Sequence, residues 1–224
     1  MTSPLDRADA CAVPESRLPG GLLATLPPTA AAPPWDCRVR AVVWLQRGRA
    51  PLPAGSAYRS RALPFTLGAV VDYLDTPVGP YREVFAGPLL RPRRLREAGW
   101  PTVHVPFIAV DSLLSVTGGR EHWALPKTTA TFAGDVAAGG AAVVGEGWTV
   151  TVASRLRGPR LPFASVLRSS QSSMRARLQL RGRGRLAAVT VTADGPSIGG
   201  WLGRGTHPGV VADGRMGVGV ARPE

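Results

Sequence analysis

The apolar residues of this chain fall in short runs bounded by glycine, proline and aspartate, a pattern that predicts strands rather than long helices. Residues 38–46 (RVRAVVWLQ) and 65–74 (FTLGAVVDYL) are two such runs, and a turn through Thr76, Pro77, Val78, Gly79 and Pro80 follows the second. Residues 102–110 (TVHVPFIAV) continue the pattern, with Pro106 predicting an edge or a bulge because it has no backbone donor. Gly145, Glu146 and Gly147 separate AAVV from WTVTVAS and predict a hairpin. A second hairpin is predicted from residues 175–180 to 186–192 across Gly182 and Gly184, and Asp194-Gly195 and Asp213-Gly214 mark later turns.

One short helix is predicted. Asp111 is its candidate cap, Leu113, Leu114 and Val116 follow as apolar residues, and Gly118 with Gly119 supplies a stop, leaving about two turns. Many short strands with one or two helices point to an α+β fold, mainly antiparallel β, whose sheet curls or closes.

Length and composition narrow this picture. A chain of 224 residues suits one domain, and five prolines between Pro19 and Pro34 disfavour a packed element there. Residues 1–34 are therefore expected to be a mostly extended Pro/Ala-rich tail or arm, and residues 35–224 the folded domain. No basic segment precedes an apolar run at the N-terminus, and no stretch reaches the roughly 18 apolar residues of a membrane span, so a cytoplasmic protein with no membrane partner is expected. Cys11 and Cys37 make no disulfide framework, and with His104, His122 and His207 they show no metal-ligand spacing; neither a metal nor a cofactor is expected.

The net charge of +12 raises the question of a nucleic-acid partner. Arg91, Arg93, Arg94 and Arg96 form one cluster, and Arg181, Arg183 and Arg185 another. The basic residues are nevertheless spread along the chain with no nucleic-acid-binding signature, so a solvated surface and no specific nucleic acid are expected. Phosphate-loop and hydrolase-elbow motifs are missing as well.

The kinds of basic residue say more than their number. Of 27 lysines and arginines, one is lysine, Lys127. Arginine stays protonated at any biological pH, so Lys127 is the one side-chain amine able to act as a nucleophile. It follows Trp123, Ala124, Leu125 and Pro126: the proline ends helical continuation, and the apolar neighbours are of the kind that strip water from an ammonium and lower its pKa. At an ordinary pKa only about one lysine in a few thousand is uncharged at neutral pH, so such lowering is what imine chemistry requires.

The run Gly119-Arg120-Glu121, four residues, Pro126-Lys127 resembles the GRE-x4-PK motif of the acetoacetate decarboxylase family, and Asp111 stands ahead of it as in that family. Pro77-Val78-Gly79-Pro80-Tyr81-Arg82-Glu83 is similar to the family's Tyr-x-Glu segment, and Pro33-Pro34-Trp35 to the start of its short members. The resemblance implies a cone-like closed β-barrel with a few short helices, assembled as a homo-oligomer. It implies a carbon–carbon lyase that decarboxylates a small β-keto acid through a Schiff base on Lys127, with Glu83 orienting substrate or relaying a proton. Arg40 is the expected carboxylate clamp, with Arg38 on the same strand face as its rival, and Ala109 and Leu125 are expected to line the pocket. Arg120 and Glu121 are expected to tie the loop by hydrogen bonds. Two departures bear on substrate: Thr128 stands where the family has a second lysine, and Leu125 where it has a pocket tyrosine. A Schiff-base aldolase, dehydratase or cyclase on a 2-oxo acid, and a non-catalytic ligand-binding protein of the same fold, are the alternatives.

Overall fold

The computed structural model describes residues 8–27, 31–48, 52, 56–93 and 101–224; Arg94 and Arg96 of the first arginine cluster lie outside them. Among the described residues twelve strands dominate: β1 (Trp35–Arg47), β2 (Ala62–Asp75), β3 (Tyr81–Leu90), β4 (Thr102–Val103), β5 (Phe107–Val110), β6 (Thr128–Thr129), β7 (Thr131–Asp135), β8 (Gly140–Gly145), β9 (Trp148–Gln171), β10 (Met174–Asp194), β11 (Gly205–Val218) and β12 (Arg222–Pro223). The helices are short, α1 (Gly20–Leu23), α2 (Leu113–Trp123) and α3 (Ile198–Trp201). Pairing runs β10-β11-β1-β2-β3-β4-β9, and β9 also pairs with β10, so the hydrogen-bonded order returns to its start. All these pairs are antiparallel except β4 with β9. Among the described residues, no helix is long and apolar enough to cross a membrane.

β1, β2, β3 and β5 carry apolar residues on both faces because a core lies on each side. Val42, Val70, Val84 and Ala109 are cross-strand partners in one row, and all four sit in a core shared with Val150, Val189 and Ile198. The next row holds Ala41, Val71, Glu83 and Val110, and faces a second core that contains Trp35, Cys37, Tyr73, Tyr81, Val116 and Trp123. Glu83 is the one charged member of that row.

Several expectations are corrected. Gly182 and Gly184 lie inside β10, which is continuous, and its true hairpin partner is β9 through Ser172 and Ser173. Both serines have positive φ, 43° and 64°, the backbone of a two-residue hairpin turn that sequence marks more clearly when Asn or Gly occupies it. A β-carbon on Gly182 would meet the Asp213 carbonyl at 2.1 Å, so this glycine serves close strand approach rather than a turn. Asp213-Gly214 is likewise inside β11.

α2 is longer than expected. Its cap is Ser112, whose Oγ accepts from the Ser115 N–H at 3.3 Å, not Asp111, whose Oδ1 accepts from the Arg82 N–H. The helix runs through Gly118 and Gly119 and ends at Ala124, which takes the left-handed conformation with φ 53°, while the Leu125 N–H returns to the Gly119 carbonyl. The N-terminal segment also differs from an extended arm. Residues 8–27 include 3-10 turns at Ala8–Cys11 and Pro14–Ser16 as well as α1. Ala8, Ala12, Val13 and Ser16 are buried, and Ser16 Oγ bonds both backbone groups of Ile108 on β5. The Glu15 carboxylate accepts from the Ser197 and Ile198 N–H groups at the start of α3.

Candidate active site

Lys127 and Glu83 are brought together. Lys127 stands between α2 and β6, and β6 lies parallel to β5 with Thr128 beside Ala109. Its Nζ is 2.7 Å from Glu83 Oε2, and the two side chains are 4% and 5% exposed. Nζ also donates to Ser115 Oγ at 2.9 Å and lies 5.1 Å from the centre of the Tyr81 ring. Tyr73 donates to Glu83 Oε1 at 3.1 Å and stacks on Tyr81 with ring centres 4.3 Å apart. Burial pushes both phenols well above their ordinary value, and the Glu83 charge acts in the same direction.

The motif glycine and arginine have physical roles here. A β-carbon on Gly119 would fall 2.5 Å from Lys127 Cδ, so the lysine stem crosses α2 where a side chain is missing. Arg120 is 1% exposed; its Nε donates to the Lys127 carbonyl at 2.7 Å, and its Nη2 bonds Asp9 at 2.8 Å and the Ser16 carbonyl at 3.3 Å. One guanidinium therefore joins the lysine loop to the N-terminal segment. Trp123 packs at right angles to Trp35 and donates to the Gly219 carbonyl.

The remaining expected residues are placed differently. Arg38 and Arg40 are exposed on the face of β1 opposite to buried Cys37 and Val39, and Arg40 sits across from Asp72 on β2. The structure does not bring the expected carboxylate clamp to Lys127, because strand alternation turns both arginines to the β1 face that carries Val42 and Trp44. Ala109 is fully buried but belongs to the row facing the other core; its neighbour Val110 shares the face of Glu83. Leu125 is partly buried and packs on the core that holds Tyr73 and Tyr81.

Ser115 and Tyr73 were not singled out in the sequence, and Tyr81 and Cys37 were named there without a place beside Lys127. Tyr81 is two residues from Glu83 on one strand, so alternation was a usable signal for it. Cys37 lies in the same core, and burial pushes its thiol up to about 12, with Lys127 opposing and Glu83 reinforcing the shift. A cavity of about 580 Å³ is lined by Thr128 and Thr129 but not by Lys127, so the buried ion pair rather than the open space marks the site. Among the described residues, no three His, Cys, Asp or Glu side chains group so as to hold a metal ion.

No protein-family model and no curated protein matches the chain. Solved structures do. The enduracididine biosynthesis enzyme MppR complexed with pyruvate is 14% identical over 86% of this chain and 91% of that one, with a TM-score of 0.56. A solved acetoacetate decarboxylase is 10% identical over 87% and 90%, with a TM-score of 0.57. The acetoacetate decarboxylase of Legionella pneumophila is 11% identical over 88% and 90%, with a TM-score of 0.56. The chain has a mostly-sheet fold with a buried lysine–glutamate pair. That fold is the one acetoacetate decarboxylase has.

Proposed function

We propose that this chain is a carbon–carbon lyase that joins a small keto acid to Lys127 as a Schiff base and decarboxylates it, an acetoacetate-like β-keto acid being the substrate. The observation that carries the reading is the 2.7 Å contact between Lys127 Nζ and Glu83 Oε2 against an apolar core. An amine attacks a carbonyl only after losing a proton, and a carboxylate at hydrogen-bond distance is the group that accepts it. Once bonded to the substrate carbon, the protonated imine draws in the electrons released as carbon dioxide leaves. The enamine takes a proton at carbon from solvent, relayed by Glu83, and water then hydrolyses the imine. A cone-like closure of the strand ring around this pair would keep the iminium and carboxylate in a medium where their attraction is strong.

One observation favours a second reading, a Schiff-base aldolase, dehydratase or cyclase on a 2-oxo acid. Arg40, the residue expected to hold the departing carboxylate, faces away from Lys127. The similarity to MppR, solved both with pyruvate and with a condensation product of pyruvate and imidazole 4-carboxaldehyde, supports that outcome.

Borohydride reduction in the presence of acetoacetate or pyruvate, followed by peptide mass spectrometry, tests the reading. A reduced adduct on Lys127 that disappears in Lys127→Ala supports it. An adduct that persists on the N-terminal amine, or none at all, points to a non-catalytic ligand-binding protein. Carbon dioxide release marks the lyase, and a new carbon–carbon bond or loss of water marks the second reading.

A further inference from the structure

We infer that Ser115 is a second catalytic group at Lys127, the acid that protonates the hydroxyl leaving the carbinolamine as the imine forms. The inference rests on the Schiff-base reading above. Its starting point is that Nζ is held from two sides, by Glu83 Oε2 at 2.7 Å and by Ser115 Oγ at 2.9 Å. Ser115 is fully buried, on the first turn of α2.

An ammonium has three hydrogens and serves both partners. A protonated imine has one, because its nitrogen is bonded to Cε and doubly bonded to the substrate carbon. That single N–H goes to Glu83, which becomes ionised again as the imine forms, since a charged acceptor makes the stronger hydrogen bond. Ser115 then loses its donor, and its own O–H is free to turn to the reacting carbon's oxygen. A serine hydroxyl both donates and accepts, which suits this exchange of partners.

Ser115 also has a route by which its proton is replaced. The Tyr81 hydroxyl interacts with Ser115 and with Tyr73, on whose ring Tyr81 stacks, and Tyr73 donates to Glu83 Oε1. Lys127, Ser115, Tyr81, Tyr73 and Glu83 thereby form a closed circuit around one nitrogen. Both phenols are held in their protonated form by burial, so each can donate one proton as it receives another.

The step balances. Lys127 gives a proton to Glu83, and the free amine bonds to the carbonyl carbon while the carbonyl oxygen takes up the amine's second proton. The carbon–oxygen bond of this carbinolamine then breaks, and the nitrogen lone pair forms the double bond. The hydroxyl departs as water with the proton of Ser115. Tyr81 reprotonates Ser115, Tyr73 reprotonates Tyr81, and Glu83 returns to Tyr73 the proton it took. The products are a protonated imine beside an ionised Glu83, and one water.

The test compares rates of borohydride-trapped adduct formation for whichever of acetoacetate, acetone or pyruvate is trapped by the unaltered protein. Ser115→Ala is expected to form the adduct about tenfold or more slowly, with the same final yield, and Ser115→Thr to restore the rate by restoring a hydroxyl. Tyr81→Phe, which keeps the ring stacked on Tyr73, is expected to slow the same step and serves if Ser115→Ala does not fold. An unchanged rate in Ser115→Ala, or an equal loss in Ser115→Ala and Ser115→Thr, overturns the role of Ser115. No adduct in the unaltered protein with any of the three compounds overturns the Schiff-base reading itself, and the relay with it.

Discussion

Gly119 makes room for Lys127: a β-carbon there would lie 2.5 Å from Cδ and 2.7 Å from Cε of the lysine. The obstructing atoms belong to a flexible side chain, so Gly119→Ala is expected to fold, with a lower melting temperature because the buried Lys127–Glu83 pair is parted. The lysine stem must swing aside, however, taking Nζ out of reach of both Glu83 and Ser115. Adduct formation by borohydride trapping is expected to fall about 100-fold in Gly119→Ala, since small displacements of a reacting group cost that much. Full trapping in this variant would contradict the placement of the stem.

Lys127 and Glu83 are both nearly fully buried, so removing one strands the other. Lys127→Met is expected to lose about 3–5 kcal/mol in urea unfolding, because it leaves an uncompensated carboxylate in an apolar core. Adding Glu83→Gln is expected to recover part of that loss. A double variant less stable than Lys127→Met alone would mean that the two groups do not act as a pair.

Arg120 joins Lys127, Asp9 and Ser16 through one guanidinium. Arg120→Met is expected to cost about 3 kcal/mol and to raise the rate at which a protease cuts within residues 8–27. Asp9→Asn, which keeps an acceptor oxygen at the partly exposed end of the pair, is expected to cost less than Arg120→Met.

Two buried groups shape the pH dependence of stability from opposite ends. Burial lowers the His104 pKa to about 4 from its ordinary 6.5, although Nδ1 is 3.0 Å from the Ser170 carbonyl and the ring stacks on Tyr58. The unfolded chain therefore binds a proton that the native one refuses, and this contribution to stability is lost as pH falls from 6.5 to about 4. For Cys37, raised from 9.0 to about 12, the native state keeps a proton that the unfolded chain releases, so stability falls as pH rises through that interval. His104→Phe is expected to flatten the acid limb of a urea-denaturation series and Cys37→Ala the alkaline limb; an unaltered limb in either variant refutes the assignment.

Much of this could be read along the chain. The runs at residues 38–46 and 65–74 became β1 and β2, and the Gly145–Gly147 hairpin joins β8 to β9 as alternation and turn residues indicate. Lys127 and Glu83 were named from motif spacing, and they lie in contact. The failures share a cause. Gly182, Gly184 and Gly214 were read as turns, yet they sit in strands whose neighbours approach too closely for a side chain, a relation between segments far apart in sequence. Arg40 was expected as a carboxylate clamp, yet it is exposed on the β1 face that carries Val42 and Trp44, whereas Cys37 and Val39 face the core beside Glu83.

By itself the sequence singled out one amine and one carboxylate as candidates for chemistry, because residue type and motif resemblance suffice to name them. Which face of each strand looks inward, and hence that Ser115 and two tyrosines rather than an arginine surround that amine, was decided by strand register and by the docking of α2. Those are long-range contacts, set by how two cores fill opposite sides of one sheet, and no local pattern encodes them.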